Sequence, residues 1–194
     1  MTRLYFVRHA QSDTGVRDEM RRGLTEKGMR DRALVTEFLA GRDISAVLSS
    51  PYRRAVDTVA DFAEKYGFTV RTVDGFRERE TGGWVGDFAA FTRRQWTDFG
   101  YKLPGGESLG EVQARNVLAL GEVLREYAGK NAAVGSHGTA LCTLINHFDS
   151  SFGGLDYARI AWKMPWIAEL CFDDGGGFLY VKEHDIMCET EAII

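Results

Sequence analysis

Leu4-Tyr5-Phe6-Val7-Arg8-His9-Ala10 is the stretch whose reading decides the fold. Four apolar residues in a row suit a short strand buried on both faces, and the run stops at an arginine and a histidine. Two later runs repeat the pattern. Ala46 to Leu48 leads into Ser49-Ser50-Pro51-Tyr52-Arg53-Arg54-Ala55, and Ala132 to Gly135 leads into Ser136-His137-Gly138-Thr139. Each run passes through polar residues into a segment of helical periodicity. Helices are expected over 25–39, 53–66, 88–99, 109–127 and 139–148. Thr25 is expected to cap the first helix, and Ser108 with Glu111 reads as a capping box for the fourth. Ala168 to Phe172 and Phe178 to Val181 flank Asp173-Asp174-Gly175-Gly176-Gly177, which reads as a hairpin with a glycine turn. Alternating strands and helices imply a three-layer α/β/α sandwich with a mixed, mostly parallel sheet, whose ligands bind where strands end and helices begin.

The chain has 194 residues, 44% of them hydrophobic, with no repeat, low-complexity tract or linker, so a single domain over 1–194 is expected. A net charge of -4 argues against a broad nucleic-acid-binding surface but leaves room for a local basic pocket. The apolar stretch near the N-terminus is too short for a signal peptide or a membrane span, so no membrane association is expected. Cys142, Cys171 and Cys188 are widely spaced with no Cys-x-x-Cys pair, which reads as reduced thiols in a cytoplasmic protein. His9, His137, His147 and His184 lack metal-ligand spacing relative to the cysteines, so neither a metal nor another cofactor is expected. A homodimer is compatible with an acidic chain of this kind.

Three strand ends could therefore bring together His9 and His137 with Arg8, Arg53 and Arg54. Guanidinium forks match phosphate oxygens, and helix N-termini add amide donors, so the grouping suits a dianion. Cationic neighbours also disfavour imidazolium, which would keep His9 neutral and nucleophilic. Trp84, Phe88, Phe91, Trp96 and Phe99 suit an apolar helix face, part of which is expected to cap the pocket. The segment from Trp162 to Trp166 is expected to pack.

Six motifs occur in order between Leu4 and about Leu144: Arg8-His9-Ala10 after its strand, Leu24-Thr25-Glu26-Lys27-Gly28, Ser49 to Thr58, Arg77-Glu78 followed by Gly82, Trp84 and Gly86, Gly105-Gly106-Glu107-Ser108, and Ser136-His137-Gly138. In this order they resemble the histidine phosphatase superfamily, the phosphoglycerate mutase-like family. The resemblance implies that His9 attacks phosphorus and becomes a phosphohistidine. It implies that Arg8, Arg54 and His137 hold the non-bridging oxygens, and that Glu78 acts as general acid and then base. Ser12, Arg22, Gly138 and Thr139 are the implied substrate contacts. Glu80 competes with Glu78 for the acid role, since Arg77-Glu78-Arg79-Glu80 alternates in sign and also reads as an exposed, salt-bridged segment. Ala10 and Gln11 depart from the usual glycine and acidic residue. Gly15 stands where an asparagine contact is usual, and Arg21-Arg22-Gly23 closes a short loop reminiscent of phosphohistidine phosphatases. The expected activity is metal-independent hydrolysis of a small phosphomonoester. The alternatives are a phosphohistidine-protein phosphatase, a mutase-type phosphotransferase, or an inactive module that binds phospho-ligands.

Overall fold

The buried run near the N-terminus becomes strand β1 (Thr2–Arg8), which lies inside a six-stranded sheet. The structure, a computed structural model, describes residues 1–187; Cys188 lies outside the described residues. β1 pairs in parallel with β4 (Asn131–Ser136) and antiparallel with β5 (Trp166–Phe172). β2 (Ile44–Ser49) lies parallel between β4 and β3 (Val70–Thr72), and β6 (Phe178–His184) closes the other edge antiparallel to β5. The order β3-β2-β4-β1-β5-β6 is the expected mixed, mostly parallel sheet. The strands extend beyond the apolar runs that announce them. Thr2, Arg3 and Arg8 still pair in register with neighbours, because backbone hydrogen bonding rather than hydropathy ends a strand.

Both faces of β1 are covered, which explains its unbroken hydropathy. Tyr5 and Val7 cluster with Val35 and Leu39 of α1 (Glu26–Ala40) and with Val59, Phe62 and Ala63 of α2 (Arg53–Tyr66). Leu4 and Phe6 cluster instead with Leu120 and Val123 of α4 (Leu109–Glu126) and with Leu141, Leu144 and Ile145 of α5 (Gly138–Phe148). Successive side chains point to opposite faces of a strand, so one apolar run feeds two cores. The result is the α/β/α sandwich.

The caps behave as the sequence indicates. The Thr25 hydroxyl accepts from the Gly28 amide at 3.0 Å, and Ser108 and Glu111 exchange amide bonds of 2.9 and 3.2 Å. In the β5–β6 turn, Asp173 accepts from the amides of Gly175 and Gly177, both at 2.8 Å. α3 (Phe88–Thr97) stops two residues early at Asp98, whose extended backbone ends the helix. β3 and α6 (Gly154–Ile160) were not legible. β3 is a three-residue edge strand with exposed Arg71 and Thr72, and α6 is a seven-residue helix introduced by two glycines. Cys142 and Cys171 are buried and unpaired, and burial pushes the Cys142 thiol far up. Among the described residues no helix is long and apolar enough to cross a membrane.

At Gly135 β4 passes close to β2 and to the start of α2. A Cβ there would lie 2.6 Å from Ser49 Oγ and 2.9 Å from the Ala55 carbonyl oxygen. Gly135→Ala is expected to destabilise the protein by about 1–3 kcal/mol through overpacking, read as a lower urea midpoint at unchanged m-value. An unaltered midpoint would show slack at this junction.

Candidate active site

β2, β4 and β1 are adjacent and parallel, so their C-termini emerge side by side, with Arg8 level with Ser136 and Ser49 level with Gly135. The residues that follow are His9, Ser50 and His137. The rings of His9 and His137 lie 5.3 Å apart at 62°. The His9 amide donates to the Ser136 carbonyl at 3.1 Å. Its Nδ1 lies 2.8 Å from the Ala10 carbonyl oxygen. A carbonyl can only accept, so Nδ1 carries the proton and Nε2 keeps a lone pair. Ala10 is itself fixed, because its amide donates to Thr58 Oγ1 at 3.0 Å while that hydroxyl donates to the Arg54 carbonyl at 2.7 Å. His137 is fully buried; its Nε2 is 2.7 Å from Ser50 Oγ, and its Nδ1 has no hydrogen-bond partner among the described residues.

The charges of three arginines act on His9, though not those of the three that sequence order suggests. Arg8 is buried, and one Nη donates to the Ile160 carbonyl at 2.6 Å and to the Lys163 carbonyl at 3.4 Å. The chain on either side of Trp162 therefore anchors Arg8; contrary to the expected packing, Trp162 itself is exposed, and of the two tryptophans only Trp166 is buried. Arg54 is 3% exposed and donates to the Glu19 carbonyl at 2.8 Å. Arg53 faces solvent and pairs with Asp57 at 3.3 Å, one turn along α2. The third guanidinium is that of Arg22, whose Nε donates to the Val16 carbonyl at 2.9 Å. Burial holds the His9 imidazole well below its usual pKa, and the charges of Arg54, Arg8 and Arg22 add to this. His137 is lowered in the same way, by burial and then by Arg54 and His9. Burial, more than the cationic neighbours alone, keeps both rings neutral.

Glu78 reaches the site across the N-terminus of α5. Its carboxylate accepts the Thr139 and Ala140 amides, each at 3.0 Å, and the Arg79 amide at 2.8 Å. It thus caps a helix whose own N-cap residue, His137, supplies no side-chain bond. The segment carrying Glu78 is held by Arg115 of α4, which donates to the carbonyls of Gly75, Arg77 and Glu78 at 2.9, 2.8 and 3.1 Å. Arg115 is oriented by Glu107, at 2.8 and 2.9 Å. Burial raises the Glu107 pKa, but bonds from Arg115 and the Glu80 amide, with the charges of Arg115 and Arg77, outweigh it and leave the group below its usual range. Glu80 is exposed and turns to Arg77 at 3.4 Å, whereas Glu78 sits at the start of the helix that follows His137. Arg79 does not fit an exposed, salt-bridged segment. It is buried, lies over the rings of Phe88 and Phe91 at 5.2 and 5.0 Å, and donates to Gln95 at 2.5 Å.

The implied substrate contacts divide. Gly138 packs on Arg8; a Cβ there would be 3.2 Å from Arg8 Cζ. Thr139 is buried and its amide serves Glu78. Ser12 is half-buried at the neck of the loop, bridged to Leu24. Of the aromatic stripe, Phe91 is buried and Trp96 packs on the core, while Trp84 and Phe88 stay exposed. Sequence reading missed Ser50, Glu19 and Arg115. Glu107, within its glycine motif, was the available pointer to Arg115. Among the described residues no group of three or more His, Cys, Asp or Glu side chains converges as a metal site requires.

Residues 4–181 match the histidine phosphatase superfamily (branch 1). A bifunctional protein of Mycobacterium tuberculosis is 33% identical over 199 residues, covering 94% of this chain and 54% of that protein. The glucosyl-3-phosphoglycerate phosphatase of the same organism is 31% identical over 134 residues, 63% of this chain and 60% of the relative. The chain thus spans little more than half the length of these relatives. The structure of a mycobacterial glucosyl-3-phosphoglycerate phosphatase with inorganic phosphate superposes with a TM-score of 0.73 at 23% identity, covering 94% of this chain and 95% of that one, which is a likeness of fold.

The two depressed histidines make stability depend on pH. The unfolded chain takes up protons near the ordinary value of 6.5, whereas the native state does so only at lower pH. Their contribution is therefore complete above that value and is lost as pH falls through the folded pKa values, by up to about 1.4 kcal/mol per pH unit per histidine. Thermal unfolding of wild type between about pH 7 and about pH 5 should show this loss, and His137→Gln should flatten it. Equal slopes for the two proteins would contradict the assignment.

Proposed function

The chain belongs to the histidine phosphatase superfamily, and we propose that within it the protein is a phosphatase that hydrolyses a phosphomonoester, without a metal, through a phosphohistidine on His9. The observation that carries this reading is the bond from His9 Nδ1 to the Ala10 carbonyl at 2.8 Å, which leaves Nε2 with its lone pair among the guanidinium groups of Arg8, Arg54 and Arg22. In the first step Nε2 forms a bond to phosphorus and the bond to the ester oxygen breaks. Glu78 gives its proton to the departing alkoxide. In the second step Glu78 takes a proton from water, the oxygen attacks phosphorus, and the P–N bond breaks. Inorganic phosphate leaves and neutral His9 returns. Arg8, Arg54 and His137 offset charge on the non-bridging oxygens, the main task in phosphoryl transfer. Ser12, Arg22, Gly138 and Thr139 form the surrounding wall.

Glu78 favours an oxygen ester, whose alkoxide needs a proton, over a phosphohistidine substrate. It also argues against a module that only binds, which has no use for an acid. The relative named glucosyl-3-phosphoglycerate phosphatase supports a small phosphorylated substrate.

Phosphate release from p-nitrophenyl phosphate, with chelator present, tests the reading. Wild type should turn over and His9→Ala should fall to background. Glu78→Gln should lose about 10²–10⁴-fold in kcat on an alkyl phosphate and far less on p-nitrophenyl phosphate, whose leaving group needs no proton. Activity persisting in His9→Ala would refute the phosphohistidine, and equal losses on the two esters would remove Glu78 as the acid.

A further inference from the structure

The cationic pocket already holds an anion of the protein's own. Glu19 lies in the loop between Ser12 and Leu24, and its side chain is 51% exposed. One carboxylate oxygen is 3.0 Å from an Nη of Arg54, whose side chain is 3% exposed, and the other is 2.5 Å from Arg22. The Glu19 carbonyl accepts from the second Nη of Arg54 at 2.8 Å. A single residue thus engages both terminal nitrogens of one arginine and one of the other. Carboxylate and phosphate present the same face to a guanidinium fork: two oxygens, spaced for parallel N–H bonds.

The support for Glu19 is self-contained. The Asp18 side chain accepts the amides of Met20 and Arg21 at 3.0 and 3.1 Å, and the Arg22 amide donates to the Asp18 carbonyl at 2.8 Å. This turn meets the rest of the fold through Arg53, whose amide donates to the Met20 carbonyl at 3.0 Å, and the loop also places Arg17 over the exposed Trp84 ring at 5.5 Å. These are peripheral contacts. The carboxylate can leave its arginines for water without uncovering a core.

We propose that Glu19 is a specificity-determining residue: its carboxylate occupies the anion position between Arg54 and Arg22, and a phosphomonoester binds by exchanging with it. This rests on the phosphatase reading of the same pocket. A tethered carboxylate is a competitor that dilution cannot remove. A phosphomonoester dianion brings twice its charge and a third oxygen, and so displaces it. A phosphodiester or a simple carboxylate brings one charge and does not. Glu19 thereby selects for charge at the entrance, while lowering affinity somewhat for every anion.

Titration calorimetry with inorganic phosphate and with dimethyl phosphate, on wild type, Glu19→Ala and Glu19→Gln, tests this exchange. Removing a half-exposed competitor should tighten phosphate binding by up to about fivefold in both variants, and should let dimethyl phosphate bind where wild type takes up none. Glu19→Gln keeps the side chain's size and supplies the same comparison if Glu19→Ala unfolds. Unchanged phosphate affinity would make Glu19 a bystander, and weaker affinity would make it a support for Arg54; either overturns the proposal while leaving the phosphatase reading in place. Phosphate binding to none of the three proteins would overturn both.

Discussion

An imidazole that stays uncharged while three guanidinium groups surround it is the constraint on which the rest of this structure depends. In water the charges would be screened and the arrangement would have little effect. Here His9 is buried, and burial is the larger reason its ring refuses a proton, with Arg54 and Arg8 adding to it. The sheet makes the burial possible. His9 and His137 follow neighbouring parallel strands whose ends are covered by loops and by the start of α5. The same enclosure would leave the arginines without partners, and the structure answers with backbone carbonyls. Ile160 and Lys163 serve Arg8, Glu19 serves Arg54, and Val16 serves Arg22. Carbonyls satisfy donors without neutralising the charge; at Arg54 and Arg22 the half-exposed carboxylate of Glu19 offsets part of it, and at Arg8 no ion pair does so among the described residues.

Glu78 is placed by a second, nearly independent network. Arg115 gathers three backbone carbonyls of the segment that carries Glu78, and Glu107 holds Arg115. The Glu78 carboxylate then completes the first turn of α5, the helix that begins at the second histidine. One interaction therefore ties the position of Glu78 to the position of His137. Arg79, next along the chain, is sunk between Phe88 and Phe91 and fastens this segment to α3.

How much of this was legible follows from how local each feature is. The strands were visible because burial on both faces writes itself as an unbroken apolar run, and the caps at Thr25 and Ser108 because they are short-range bonds. Arg8, His9 and His137 were visible because a polar residue directly after such a run must emerge at the sheet's end. Arg54 was separable from Arg53 only by resemblance to a family pattern. In the structure the reason is rotation about the helix axis, which turns one inward and the other out. Glu78 and Glu80 could not be told apart by their charge pattern. Their neighbours differ in the structure, and those come from α5 for one and from Arg77 for the other.

Glu19 and Arg115 carry no local mark. Each is an ordinary polar residue in a polar stretch, and each matters because of a partner many residues away: Arg54 for one and the Gly75–Glu78 backbone for the other. The sequence by itself thus determined the class of fold, the family, and the residue types gathered at the strand ends, since hydropathy and short-range hydrogen bonding act between near neighbours. Only the tertiary structure decided which arginines turn inward, which carboxylate caps α5, and which anion lies between Arg54 and Arg22. Those outcomes depend on distances between segments that approach one another only when the chain is packed.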